Sequence, residues 1–274
     1  MKIFAPLVTN SFKEIVRQPF YFVILFAGCL IMLMSLTFTF FAFGEEAKMI
    51  RDMGISTITI SGLLAGCLSS SVLIANEFEG QTALAVLCKP ITRAHYVLGK
   101  YLGIILAATV LILSQGLVLE IALIVNKYKK ISSGLSDISG LIDYVCLLGI
   151  YFSLLQVLIL TAISLILSIY LNTVLNLTLC LLFFILCHTF SYILPFYNHE
   201  LCIVSIVATI CYTMLPNFQD LNLISISETT ANQTLFWQKS SIIQYIVYNT
   251  IHVVIYCVAI MWLAVALFKK KEIF

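Results

Sequence analysis

The sequence predicts an all-α polytopic membrane protein, and three observations carry that prediction. The chain is 61% hydrophobic and only 10% charged, whereas a soluble domain carries roughly 25% charged residues. Its mean hydropathy is +1.07. Its apolar residues fall in six runs long enough to cross a bilayer, which takes about 20 residues: 20–43, 55–75, 97–125, 143–170, 173–194 and 242–268. A chain of 274 residues with these properties is expected to form one transmembrane domain over 1–274, with lipid as its solvent.

The lead into the first run, NSFKEIVRQ (10–18), has amphipathic spacing. Phe12, Ile15 and Val16 share one helical face, while Lys13, Glu14 and Arg17 share the other. Ser11 and Glu14 have the spacing of a capping box, and Pro19 closes the segment. A short interfacial helix on the inner membrane surface is expected, its basic groups near anionic headgroups. The first apolar run is too long for the core of a signal peptide, so it is expected to remain as a span.

A seventh stretch, LCIVSIVATICYTML (201–215), has 15 residues. As a helix it would reach about 22 Å, short of a ~30 Å hydrocarbon core. Bracketed by Pro195 and Pro216, it is expected to be a re-entrant or interfacial half-helix between spans 5 and 6. The basic tail FKKKEIF supports the six-span count, because it then lies on the same side as Lys13 and Arg17. With both termini inside, nine Lys/Arg face the cytoplasm and six face out.

The net charge of +2 is too small to suggest nucleic acid. The nine cysteines show no CxxC spacing and lie mostly inside apolar runs, so they read as small packing residues. Cys180 and Cys187 are seven residues apart in a helix, about 10.5 Å, too far to share one ion at ~2.3 Å bonds. EEAKMIR (45–51) approaches the E-E-x-x-x-R pattern of intramembrane CAAX-type proteases, but its arginine is one residue late. It reads as a polar loop at the outer membrane edge. Glu120, in LVLEIALIV, is an intramembrane carboxylate and the candidate for a translocation path; it also lies close enough to the outer end to snorkel. Gln156, Asn172 and Asn176 are candidates for interhelical hydrogen bonds. The polar segment 216–241 with Trp237 reads as an extracytoplasmic loop with an interfacial aromatic.

The most informative stretch is NEFEGQTALAVLCKPITRAHYVLGK (76–100), between spans 2 and 3. Thr82 can cap a helix whose Leu84, Leu87 and Cys88 share a face. Pro90 pushes Lys89 out of the α region and ends that helix. Thr92 can cap the next one, Gly99 permits close helix approach, and Lys100 can snorkel at the interface. Such an apolar ridge outside the bilayer needs a cover, either headgroups or a protein groove.

The order Glu77, Glu79, Gly80, Thr82, Leu87, Lys89-Pro90, Arg93 and Gly99-Lys100 resembles the permeases of ABC-2-type transporters. The resemblance extends over the chain, with its specific motif confined to 77–100. It implies a permease subunit, with no enzymatic site of its own, in the cytoplasmic membrane of a bacterium. It implies an exporter in which two copies, or this chain and a related permease, form the path in the bilayer. Two separately encoded ABC ATPase subunits would supply ATP hydrolysis, so no cofactor binds here directly. Thr82–Cys88 would be the coupling helix, with Glu77, Glu79, Gly80, Thr82, Leu84, Leu87, Lys89, Pro90 and Arg93 as the ATPase-coupling residues. The chain agrees by what it lacks. Its single GK pair, Gly99-Lys100, is followed by Tyr101 and has Ala94 where a P-loop needs its first glycine. An ion-coupled secondary transporter would instead show paired buried charges and an inverted repeat. A membrane-embedded enzyme would show a convergent catalytic set on facing spans.

Overall fold

The computed structural model describes residues 4–38, 45–79, 93–132, 143–197 and 239–270, together with positions 216, 218 and 221. Among the described residues the regular structure is entirely helical. In chain order the helices are α1 (Phe4–Val16), α2 (Pro19–Phe38), α3 (Glu46–Glu79), α4 (Arg93–Ser132), α5 (Tyr144–Ser168), α6 (Thr173–Tyr197) and α7 (Lys239–Lys270). Among the described residues, five are long and apolar enough to cross a membrane, over Pro19–Phe38, Glu46–Ile74, Ala94–Lys129, Tyr144–Ser168 and Ile243–Phe268. A sixth apolar helix, α6, has 25 residues, of which Thr173–Thr189 are described with their side chains. The several apolar helices make this a multi-pass membrane protein. The 201–215 stretch and Trp237 lie outside the described residues.

Three expectations about local structure are corrected. α1 starts at Phe4, well before the amphipathic lead. Ser11 is therefore mid-helix and does not cap: its Oγ donates to Leu7 O at 3.0 Å, one turn back. The physical reason is that α1 has a packing partner. Ser11 and Ile15 are buried, and α1 lies along the start of α4. Second, EEAKMIR is not a loop beyond Glu45. Glu46–Arg51 are the first turns of α3, held by Lys48–Glu45 (3.6 Å) and by Arg51 reaching Asp143 at the start of α5 (3.6 Å). Third, Lys100 does not snorkel, as detailed below.

Pro19 does stop α1, and it opens α2 at the first helical position, where its missing N–H is harmless. Between the two, Gln18 N–H donates to Ile15 O at 3.0 Å and Gln18 O accepts from Tyr21 N–H at 3.2 Å. α5 ends in the tight turn 169–172, which sends α6 back along it: Leu171 N–H donates to Leu167 O and Asn176 N–H to Asn172 O, each at 2.9 Å.

α3 is the hub. It packs most extensively against α5 and α4, and also meets α2 and α6. Its glycines make this possible. A Cβ on Gly66 would stand 2.2 Å from Thr161 Cγ2, and one on Gly62 would stand 2.9 Å from Val157 Cγ2. Gly62 and Gly66 form a G-x-x-x-G pair against Val157 and Thr161, also four apart, on α5. Small residues at this spacing let two backbones approach closely, the usual basis of helix packing in lipid.

Candidate functional site

The segment expected to carry ATPase coupling is flanked by the two longest helices among the described residues. α3 runs without interruption to Glu79. α4 begins at Arg93 and continues for 40 residues. Glu77 and Glu79 thus belong to the last turn of α3, and Arg93 opens α4. Their side chains, and the whole of Gly80, Thr82, Leu84, Leu87, Lys89, Pro90 and Thr92, lie outside the described residues.

The described part of the motif, Gly99-Lys100, is where α1 docks. A Cβ on Gly99 would meet Leu7 Cδ2 at 2.5 Å, so the close approach expected at Gly99 is present. One turn on, a Cβ at Gly103 would stand 2.6 Å from Ser11 Cβ and 3.1 Å from the Val8 carbonyl oxygen. Lys100 is only 3% exposed. Its Nζ lies 3.8 Å from Glu14 Oε2 and 5.9 Å from the centre of the Tyr96 ring. Instead of reaching for headgroups it turns onto α1, because a carboxylate and an aromatic face stand within reach there. This contact ties the amphipathic lead to the base of α4. Tyr96 in turn stacks on Phe268 of α7 at 5.7 Å, so α1, α4 and α7 meet at one end of the bundle.

The interior holds a ladder of polar side chains between helices. Between α2, α3 and α4, Ser61 Oγ hydrogen-bonds Gln115 Oε1, and Gln115 Nε2 donates to Ile24 O at 3.4 Å. Between α3 and α5, Thr59 Oγ1 donates to Ser153 Oγ at 2.9 Å. Between α3, α5 and α6, Asn176 Nδ2 meets Ser71 Oγ and donates to Ser164 Oγ at 2.9 Å and Ser164 O at 3.2 Å. Ser70 and Ser164 hydroxyls also pair. Gln156 Nε2 donates to Phe218 O at 3.3 Å and Leu221 O at 3.0 Å, anchoring the segment after α6. Of the three amides expected to bond across helices, Asn176 does so, Gln156 instead bonds the non-helical Phe218 and Leu221, and Asn172 is exposed at the start of α6. The serines and threonines of this ladder were not singled out from the sequence, although their small-residue spacing around Gly62 and Gly66 was there to be read.

Glu120 lies on α4 with both carboxylate oxygens buried and without a hydrogen-bond partner. The nearest polar group is the Cys146 thiol of α5, a weak donor that also has Arg51 and Asp143 in its neighbourhood. The carboxylate therefore does not snorkel to the surface of this chain. Cys180 and Cys187 are buried on α6, with the Cys180 thiol against that of Cys67 on α3. Among the described residues, no group of three or more His, Cys, Asp or Glu is arranged to hold a metal ion. Neither a family model nor a curated protein matches the chain.

Proposed function

We propose that this chain is the membrane-spanning permease subunit of an ATP-driven ABC-2-type exporter. The observation that carries the reading is the motif Glu77-x-Glu79-Gly80 … Lys89-Pro90-x-x-Arg93 … Gly99-Lys100, which begins in the last turn of one 34-residue helix and ends in the first turns of a 40-residue one. Helices of that length would act as stiff levers on residues 80–92. α6 counts as the sixth span, both termini face the cytoplasm of a bacterium, and α1 lies at the inner surface. Two copies, or one copy with a related permease, enclose the path. Two ATPase subunits seat the coupling helix Thr82–Cys88 in a groove, and Glu77, Glu79, Lys89 and Arg93 fix its orientation at the rim. ATP-driven closure of the ATPases moves the coupling helices and switches the spans between inward- and outward-facing states.

Affinity purification of the full chain from its native membrane, followed by mass spectrometry, tests this. The expected result is a stoichiometric P-loop ATPase that is lost when Lys89, Pro90 and Arg93 are replaced together while the membrane fold persists. Recovery of the chain without any ATPase in several mild detergents would sink the reading. The buried carboxylate of Glu120, which meets no cation or strong donor among the described residues, favours a second reading, an ion-coupled secondary transporter. In that case Glu120→Gln would abolish gradient-driven uptake in proteoliposomes that contain no ATPase.

A further inference from the structure

A cavity of about 170 Å3 opens at the side of the bundle, where Ser56 is exposed; its polar and aromatic lining is Ser56 and Thr59 of α3, Ser153 and Gln156 of α5, and Phe184 and His188 of α6, beside the apolar Ile55, Ile60 and Leu221. Along α3, Ser56 is 21 residues from Glu77, about 31 Å of helix, so the cavity is remote from the coupling segment.

The hydroxyl and amide groups of this cavity share one trait. Ser56 Oγ donates its proton to Asp52 O at 2.8 Å, and Ser153 Oγ donates to Gly149 O at 2.9 Å. Thr59 Oγ1 divides its single proton between Ile55 O and Ser153 Oγ, each at 2.9 Å. Both N–H groups of Gln156 are committed to Phe218 O and Leu221 O. What these four side chains keep is acceptor capacity: hydroxyl lone pairs and the Gln156 carbonyl. His188 adds an imidazole whose Nδ1 is buried without a hydrogen-bond partner. Phe184 adds an aromatic face, stacked on His188 at 6.0 Å. Among the described residues no Lys, Arg, Asp or Glu lines the cavity.

We propose that this cavity binds a small primary ammonium group. An ammonium carries three donors and no acceptor, the complement of such a wall. The aromatic face favours a cation beside it. An anion would find no hydroxyl or amide proton left to bind it, only the single N–H of a neutral His188 imidazole, whereas an ammonium meets five acceptors. Drug-sized ligands take roughly 300 Å3 or more, so this space suits an aminoalkyl head and not a large molecule. The site concerns the ligand and not the energy source, so it stands whether or not an ATPase drives the chain.

The test is a thermal-shift titration of the full chain, purified in neutral detergent, with n-propylammonium, propan-1-ol, propionate and propyltrimethylammonium at constant ionic strength. Saturable stabilisation by n-propylammonium alone is expected. Ser56→Ala and His188→Phe should each raise its apparent Kd, together by at least tenfold. Propyltrimethylammonium keeps the charge but has no N–H, so its failure to compete with n-propylammonium tests the donor argument on the unaltered protein. Equal binding of propionate or propyltrimethylammonium, or no saturable binding by n-propylammonium, would overturn the proposal. Two further arms identify the source of the amine, with the protein in nanodiscs containing phosphatidylethanolamine or phosphatidylcholine. Loss of n-propylammonium binding only with phosphatidylethanolamine assigns the site to a lipid headgroup. Equal binding in both assigns it to a soluble amine.

Discussion

α3 and α7 are both apolar helices of spanning length, yet 72% of the α3 window is buried within the chain and only 22% of the α7 window. α3 is the less apolar of the two. In water the order would be reversed, because burial there follows hydrophobicity. In lipid the solvent is as apolar as leucine, so hydrophobicity does not choose the inner helix. Close packing and interhelical hydrogen bonds choose it. α3 carries Gly54, Gly62, Gly66 and a run of three serines, 69–71, and every one of those serines is buried. α7 presents Val254, Ile255, Val258 and Trp262 outward, and α2, also 22% buried, presents Phe22, Val23 and Phe26. These outward faces are available to lipid or to another chain.

Substitutions can break this contrast, and the largest effect is expected at the α3–α5 crossing. Gly66→Leu forces a side chain into the space held by Thr161, so α5 must move away. A loss of about 3 kcal/mol is expected, at the upper end for an overpacked core. Reversible unfolding in mixed micelles would measure it, and a loss below about 0.5 kcal/mol would refute the close crossing. Asn176→Leu comes next. It removes three donor contacts among α3, α5 and α6 and should cost about 1–2 kcal/mol, since interhelical hydrogen bonds reach at most about 1.7 kcal/mol each.

Glu14 and Lys100 sharpen the comparison at the membrane edge. Lys100 is buried, but Glu14 keeps 34% of its side-chain surface exposed. Solvent screening at Glu14 should hold the coupling energy to about 1 kcal/mol, read from a double-mutant cycle of Glu14→Ala and Lys100→Ala. High salt should weaken it. The smallest effect is expected on α7. Trp262 is 75% exposed, and Trp262→Leu should change stability by less than about 0.5 kcal/mol in the same unfolding assay. A loss as large as that of Gly66→Leu would mean that α7 is not peripheral.

Much of the helix inventory was legible from composition and run length alone. The run predicted at 143–170 is matched by α5 at Tyr144–Ser168, and Pro19 separates α1 from α2 as expected. The polar ends were misjudged. The run at 55–75 is only the apolar middle of α3, which begins at Glu46 because Arg51 has Asp143 of α5 to pair with. A charged stretch reads as a loop when its partner is 92 residues away in the chain. Ser11 was misread for the same reason: a serine three residues before a glutamate looks like a cap until a packed helix extends past it. Asn176 was legible because a lone amide in an apolar run has few other uses. The cavity beside Gln156 was not, because it exists only where three helices meet.

By itself the sequence determined that the chain lives in lipid, that it is helical, and roughly where its spans lie. It also held the motif between spans 2 and 3. These follow from local quantities, namely apolar run length, proline positions and residue spacing. Tertiary structure alone decided which helix lies at the centre, where Lys100 turns, and which hydroxyls keep acceptors free. Those depend on which small residues meet across helices, and in a bilayer hydrophobicity carries no record of that choice.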